Sequence, residues 1–157
     1  MVAIGLGSNL GDRQAHLQLA AERLSALLAD VRISSYYETD PVEMTGEHPR
    51  FLNAAAIGST ALSAREVLVA LHEIEREGGR ERPAPRASRT LDLDLLLFGQ
   101  DVIREPWLEV PHPRFRERRF VLEPLAEVAP FLRDPVTSLT VAELLARLPP
   151  EPGVRRL

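Results

Sequence analysis

Two aspartates interrupt an apolar segment near the middle of the chain, Arg89-Thr90-Leu91-Asp92-Leu93-Asp94-Leu95-Leu96-Leu97-Phe98. The pattern predicts a β-strand, on which Asp92 and Asp94 would share one face, roughly 6–7 Å apart. Aspartate is depleted in strands, and neighbouring like charges repel. A hard cation such as Mg²⁺, held by carboxylates and completed by substrate phosphates, fits this pair. A half-exposed amphipathic strand has the same pattern, so the segment alone supports both interpretations.

Arginine is concentrated on both sides of the acidic pair. The chain has no lysine, so all 19 of its basic residues are arginine. Guanidinium groups match phosphate oxygens, and phosphoryl transfer depends mainly on positioning and charge stabilisation. The cluster therefore favours anion binding over the alternative of surface arginines paired with nearby glutamates, and the missing lysine excludes a Walker A loop. The flanking residues are Arg76, Arg80, Arg82, Arg86, Arg89, Arg114, Arg116, Arg118 and Arg119.

Further candidate residues lie near these clusters. His72 and Glu75 fall on the last turns of a predicted helix, where solvent exposure is the expectation. His112 stands between two prolines and is fixed in a non-helical conformation, so it could donate to a phosphate or be an ordinary loop histidine. Phe51 and Asn53 would share a strand face, where a flat ring could stack on the phenyl group while the amide reads its edge. A core phenylalanine beside a surface asparagine is the alternative.

The elements that must position these residues follow from hydrophobic periodicity and from helix caps. We predict strands over 2–8, 31–39, 51–60 and 89–98. One helix should run from an Asp12 N-cap to about Ala29, and another from Ser63, with Glu66 as capping-box partner, to Gly78. The turn over 5–11 is a strand-to-helix connection, because Leu10 occupies the third glycine position of a phosphate loop. Loops are predicted over 40–50 and 78–88.

The order strand, helix, strand, strand, helix, strand is the βαββαβ pattern of ferredoxin-like domains. We therefore expect an α+β fold in which a mostly antiparallel sheet is flanked by helices. The remainder should add strands to an edge and helices to a face, with strands at 102–103 and 108–111 and helices at 120–128 and 141–148. No composition shift marks a boundary, so residues 1–157 are expected to form a single domain.

The amino-acid composition limits the classes of function that the chain can have. Hydrophobic residues make up 45% and charged residues 27% of the 157, as in ordinary globular proteins. A net charge of −4 argues against a general nucleic-acid binder, and the absence of cysteine excludes disulfides and cysteine-ligated zinc. No apolar run reaches transmembrane length, and the N-terminus lacks the features of a secretory signal. We expect no membrane partner and a cytoplasmic location.

Six motifs together resemble the 6-hydroxymethyl-7,8-dihydropterin pyrophosphokinase family of folate biosynthesis, and they run in family order over most of the chain. They are Gly7-Ser8-Asn9-Leu10-Gly11-Asp12, Tyr37-Glu38-Thr39-Asp40-Pro41, Phe51-Leu52-Asn53-Ala54, the 89–99 segment with its Arg-Thr-Leu-Asp-Leu-Asp signature, Val110-Pro111-His112-Pro113-Arg114, and 118–125. One departure is Arg86-Ala87-Ser88, where family members often carry Trp-Gly-Pro.

The resemblance implies a ferredoxin-like transferase that moves a diphosphate from ATP to the hydroxymethyl group of the reduced pterin and releases AMP. It implies that Asp92 and Asp94 bind two Mg²⁺ ions. The expected ATP ligands are Arg80, Arg82, Arg89, His112 and Arg118, with His72 and Glu75 on the ATP side. The residues expected to carry the chemistry are Arg80, Arg82, Arg89, Asp92 and Asp94.

For the pterin, the resemblance implies a sandwich between Phe51 and Phe120, while Asn53 bonds the ring edge. Groups around Thr39, Asp40 and Val42 would assist. ATP and 6-hydroxymethyl-7,8-dihydropterin are therefore the expected partners, and we expect a monomer, with a weak homodimer as the alternative. Two rivals remain at this point: an RNA-recognition domain, which shares the βαββαβ order, and a metal-dependent phosphohydrolase using the same aspartates.

Overall fold

The computed structural model describes residues 1–40, 50–78, 91–150 and 153–157. Most of the two predicted loops, together with Val42, Arg80, Arg82, Arg86 and Arg89, lies outside these residues. Within them the strands are β1 (Val2–Ser8), β2 (Ala29–Ile33), β3 (Tyr37–Thr39), β4 (Phe51–Ser59), β5 (Asp92–Phe98), β6 (Ile103–Glu105), β7 (Leu108–Val110) and β8 (Val154–Arg156). The helices are α1 (Arg13–Leu27), α2 (Ala64–Glu77), α3 (Arg119–Val128) and α4 (Val141–Ala146), and Phe115–Glu117 forms a 3₁₀ turn.

A six-stranded antiparallel sheet organises the described part of the chain. Its strand order is β5-β1-β4-β3-β8, and β2 pairs with β4 beside β3. Two interleaved βαβ units produce this order, because β4 fills the gap between β1 and β2/β3, and β1 fills the gap between β4 and β5. The predicted α+β class with a mostly antiparallel sheet is confirmed.

Both long helices begin at the residues that the sequence predicts. The Asp12 carboxylate accepts the amide of Ala15 at 3.1 Å and caps α1. At α2 the Ser63 hydroxyl accepts the amide of Glu66, whose carboxylate accepts the amide of Ser63, so the capping box is complete. Each cap satisfies amides that have no partner within the helix.

The strand predicted over 31–39 is wrong as a single element. It divides into β2 and β3, because three residues, 34–36, face two residues of β4 between the pairs Ile33–Ala56 and Tyr37–Asn53. The Ser34 hydroxyl accepts the Ala55 amide at 2.9 Å, so a side chain replaces the backbone acceptor at the irregularity. The predicted turn over 5–11 is also wrong in part, since Gly5 and Gly7 belong to β1.

Two hydrophobic clusters form on opposite faces of the sheet. Helices α1 and α2 pack on the face of Ile4, Leu52 and Leu93. Helices α3 and α4 pack on the other face, against Ala3, Ala55, Ile57, Leu96 and Leu97. The consecutive residues Leu96 and Leu97 both join this second cluster, because β5 is irregular where its register with β1 shifts between Ala3 and Ile4.

The C-terminal part only partly follows the expectation of added edge strands. Strand β8 pairs with β3 at the sheet edge, but β6 and β7 form a separate two-stranded sheet rather than extending the main one. Helices α3 and α4 lie on a sheet face, as predicted. Among the helices of the described residues, none combines the length and apolar character that a membrane crossing requires.

Candidate active site

The acidic pair and the predicted pterin-reading amide lie on the same face of the sheet. Gly7 of β1 is opposite Asp92 of β5 on one side and opposite Asn53 of β4 on the other, and Gly5 is opposite Asp94. Directly opposed residues of antiparallel strands share a face. Because neighbouring strands are about 4.8 Å apart, the backbones of Asp92 and Asn53 are separated by about 10 Å. Because the β1 residue between them is glycine, β1 contributes no side chain to this interval.

Asn53 is held in one orientation by its neighbours. Its Nδ2 donates to the Thr39 hydroxyl at 2.8 Å, and both side chains are buried. Its Oδ1 lies over Gly7, where an added Cβ would stand 3.1 Å from that oxygen. Phe51 lies on the same face, opposite Thr39, and is half-buried. The amide is therefore fixed beside an aromatic ring, as a site for a flat polar molecule requires.

A cavity of about 310 Å³ runs along the outer edge of β5. Asp92, Asp94, Glu75, His72 and His112 line it together, so five sequence-predicted site residues from three segments meet at one place. Its remaining wall is mainly apolar and comprises Leu68, Leu93, Leu95, Trp107, Leu108 and Pro113, with Glu109. The volume is within the usual range for ligand pockets.

Glu75 differs from the expectation of solvent exposure, whereas His72 is exposed as predicted. Glu75 is only 5% exposed, and its Oε2 accepts the backbone amide of Leu93 at 2.8 Å. Exposure is the expectation for a charged residue on the last turns of a helix, but Glu75 packs against β5, where the outward amide of Leu93 needs an acceptor.

His112 is held by its backbone and by its ring. Its amide donates to the Leu96 carbonyl at 2.9 Å, and its Nδ1 accepts the amide of Arg114 at 3.2 Å. A nitrogen that accepts is unprotonated, so the neutral ring carries its proton on Nε2. Burial lowers the pKa of His112, and the charge of Arg118 lowers it further, against the opposing charge of Asp92.

The segment after His112 leads to two further predicted residues. The Arg118 guanidinium lies 5.6 Å from the centre of the Phe120 ring, within cation–π distance. Between them and His112, Arg116 binds the fully buried Asp134 through two guanidinium nitrogens, one of them at 2.9 Å. Burial would raise the pKa of Asp134, but the hydrogen bonds from Arg116 and its other donors lower it overall.

The donor set at the acidic pair suits a hard cation. Asp92 and Asp94 supply carboxylate oxygens on one strand face. In the described ranges no group of three or more potential metal-binding side chains is close enough to hold an ion by itself. Mg²⁺ is commonly bound through one or two carboxylates and substrate phosphates, so a pair fits this ion when a phosphate ligand is present.

Asp40 is not among the residues that line the cavity, and its predicted help in pterin binding stays a prediction. The Asp40 carboxylate pairs at the surface with Arg50 Nε at 3.1 Å. Arg80, Arg82, Arg89 and Val42 lie outside the described residues, so their predicted roles stay predictions.

Sequence reasoning missed Trp107, whose half-exposed ring lines the cavity with the Arg65 guanidinium 5.0 Å from its centre. Its place in the hairpin between β6 and β7 gives no periodic signal. The residue type itself could have drawn attention to this position, because Trp107 is the chain's one tryptophan and lies in a polar connection.

These features define an α+β domain with an acidic, ligand-sized cleft at the sheet edge, and solved structures share its fold. One is the wild-type Plasmodium falciparum HPPK-DHPS with SDX-DHP, with a TM-score of 0.74 over 93% of this chain and 44% of that chain, at 14% identity. At this identity the likeness shows the fold alone.

Sequence comparison is more specific. Residues 3–130 match the sequence model of the 7,8-dihydro-6-hydroxymethylpterin-pyrophosphokinase (HPPK) family, and the chain belongs to this family. A relative from Bacillus subtilis is 44% identical over 137 residues, which are 86% of this chain and 81% of that protein. One from Pseudomonas aeruginosa is 42% identical over 158 aligned positions, covering 99% of this chain and 96% of that protein. Both are named 2-amino-4-hydroxy-6-hydroxymethyldihydropteridine pyrophosphokinase.

Proposed function

We infer that this chain transfers a diphosphate from ATP to the hydroxymethyl group of 6-hydroxymethyl-7,8-dihydropterin in folate biosynthesis and releases AMP. Family membership and two relatives that are matched over 81% and 96% of their length support this activity. The observation that supports the proposed site is the row Asp92–Gly7–Asn53, because an acidic pair and a fixed amide share one sheet face and the residue between them is glycine.

We propose that ATP binds in the cavity along β5, with its phosphates toward the acidic pair and its base toward the apolar wall. The acidic pair and His112 lie in its polar wall, where a triphosphate and its cation would bind. Leu68, Trp107 and Leu108 supply an apolar wall for the base. The Nε2 proton of His112 would donate to a phosphate oxygen, since its Nδ1 is already engaged by Arg114. We propose that Arg118, and also Arg80, Arg82 and Arg89, contribute positive charge to the phosphates.

The pterin would bind on the sheet face beside β4. Phe51 would stack on one side of the ring and Phe120 on the other, while Asn53 bonds the edge with help from groups around Thr39, Asp40 and Val42. The Thr39 hydroxyl, which holds the Asn53 Nδ2, leaves Oδ1 to accept from the pterin. His72 would lie on the ATP side, because it is an exposed member of the cavity wall.

In the reaction the pterin hydroxyl oxygen bonds to the β-phosphorus, the bond from that phosphorus to the α-phosphate oxygen breaks, and AMP leaves. The hydroxyl proton passes to solvent. Two Mg²⁺ ions, held by Asp92 and Asp94, would neutralise phosphate charge and favour ionisation of the hydroxyl. The chain's own task is to align the two substrates and to stabilise charge with arginine and histidine donors. A monomeric state and a cytoplasmic location stay predictions.

The test measures AMP with ATP, Mg²⁺ and 6-hydroxymethyl-7,8-dihydropterin. We expect AMP only when the pterin is present, and we expect Asp94→Ala to lower kcat about 10³-fold, which corresponds to about 4 kcal/mol of barrier. The exposed Asp101, three residues beyond the strand, provides the matched control Asp101→Ala, which should retain activity. Inorganic phosphate released without an acceptor would instead indicate a phosphohydrolase, and near-normal turnover in Asp94→Ala would contradict the metal assignment.

A further inference from the structure

We propose that Glu75 is a positioning residue that fixes the backbone between the two aspartates, rather than an ATP ligand. The proposal rests on the proposed function, because it concerns how the same acidic pair is held. Its basis is one contact: Glu75 Oε2 accepts the amide of Leu93 at 2.8 Å, and Leu93 is the residue between Asp92 and Asp94.

The contact takes the place of a further strand, since the described residues provide none at this edge. Among the residues that the structure describes, β5 is the outermost strand of the six-stranded sheet and pairs with β1 on its inner side. Alternate amides of an edge strand point outward and need another acceptor. Glu75 satisfies the outward amide at Leu93, so β1 holds one side of this part of β5 and α2 holds the other. The spacing and direction of the flanking carboxylates depend on that backbone.

A carboxylate is well suited to this role, although its burial is unfavourable. A buried charge costs free energy unless it is hydrogen-bonded, and a bond from an amide to a carboxylate is stronger than one to a neutral acceptor. The competing interpretation is that Glu75 acts through its charge, as a third acid in the cavity or as a direct ligand of ATP or of its cation. The two interpretations differ in whether the hydrogen bond or the charge matters.

Helix α2 should remain docked when Glu75 is changed. Val67, Leu71 and Ile74 bury their side chains in the same cluster as Leu91 and Leu93, independently of the carboxylate. Variants at position 75 are therefore expected to fold, which circular dichroism and thermal melting would establish. Glu73→Gln is the matched control, because Glu73 is on the same helix and is exposed.

Three substitutions separate the hydrogen bond from the charge. Glu75→Gln keeps an acceptor oxygen at the same reach and loses the charge. Glu75→Asp keeps the charge and is one methylene too short, and Glu75→Met loses both. The first readout needs no ligand: amide hydrogen exchange at Leu93, followed by NMR. We expect exchange in the Gln variant within about threefold of the parent protein, and exchange at least about tenfold faster in the Asp and Met variants.

The second readout is kinetic. For the Gln variant we expect kcat and the Mg²⁺ concentration at half activation to stay within about threefold of the parent protein. For the Asp and Met variants we expect kcat to fall at least about tenfold and the Mg²⁺ requirement to rise, with a smaller change in KM for ATP. A general loss of stability would not single out the metal requirement or be rescued by glutamine.

The opposite ranking would overturn the proposal. If Glu75→Asp retained activity while Glu75→Gln lost it, or if KM for ATP rose alone, the charge or a direct ATP contact would be responsible. Unchanged exchange at Leu93 in the Met variant would also overturn it. Failure of the proposed function would look different, because the parent protein would then form no AMP from ATP and the pterin, while exchange at Leu93 would still report on the contact.

Discussion

Replacing Gly7 with alanine should weaken pterin binding while leaving the fold intact. Gly7 lies in β1 between Asp92 and Asn53, in an ordinary extended backbone that alanine also adopts. Alanine restricts the unfolded chain more than glycine does, so the backbone term favours the variant by about 0.5 kcal/mol. Any loss of activity must therefore arise from the added methyl group rather than from unfolding.

The magnitude follows from one distance. The new Cβ would stand 3.1 Å from Asn53 Oδ1, which is a few tenths of an ångström inside ordinary contact. Asn53 cannot move freely, because its Nδ2 donates to the Thr39 hydroxyl at 2.8 Å. The amide must shift, and its oxygen loses alignment with the pterin. Loss of one hydrogen bond in a buried site costs about 1–2 kcal/mol, so kcat/KM for the pterin should fall about 5- to 30-fold.

Steady-state kinetics with each substrate varied in turn provide the assay. We expect KM for the pterin to rise while KM for ATP changes less than about twofold, with the thermal midpoint nearly unchanged. Gly5→Ala is the matched control, since its Cβ would make ordinary contact with the Leu96 side chain at 3.6 Å. An unchanged KM for the pterin in Gly7→Ala, or equal losses in both variants, would refute the reasoning.

Three further predictions concern the segments around the site. Arg116→Met leaves the fully buried Asp134 carboxylate without its bidentate partner and should lower the free energy of unfolding by about 3–5 kcal/mol in urea; a loss below about 1 kcal/mol would contradict this. Burial lowers the pKa of His112, so the unfolded chain binds the proton more tightly. The contribution of the neutral His112 to the free energy of unfolding should therefore be fully present above about pH 6.5 and be lost as the pH falls toward the lowered pKa. The free energy of unfolding should fall less steeply with decreasing pH in His112→Gln, and equal slopes in the two proteins would argue against this prediction. Tyr37→Phe removes the phenol that donates to Glu127 Oε1 at 2.8 Å, which should cost about 1–2 kcal/mol on urea unfolding, whereas a neutral change would mean that the bond contributes little.

Local patterns predicted the elements that position the site. The Asp12 cap, the capping box at Ser63 and the apolar run after Asp92 each act over a few residues, so the sequence contains the whole signal. The shared face of Asp92 and Asp94 follows from strand periodicity alone, and the register with β1 confirms it. The aspartate spacing and the flanking motifs also pointed to the family to which the chain belongs.

Features that depend on pairing between distant segments could not be predicted in the same way. The division of 31–39 into β2 and β3 arises from the Ser34 contact with β4, and the burial of Glu75 arises from an outward amide on β5. Strand β8 has only three residues and is defined by its partner β3 rather than by its own periodicity. Trp107 enters the cavity because the hairpin of β6 and β7 lies against β5, and no local pattern indicates that arrangement.

The most direct test of the central claim is an anomalous diffraction experiment on crystals grown with Mn²⁺, a non-hydrolysable ATP analogue and the pterin. We predict anomalous peaks within about 2.0–2.3 Å of carboxylate oxygens from both Asp92 and Asp94, in contact with the triphosphate. Well-ordered nucleotide and pterin with no cation beside either carboxylate would contradict the account.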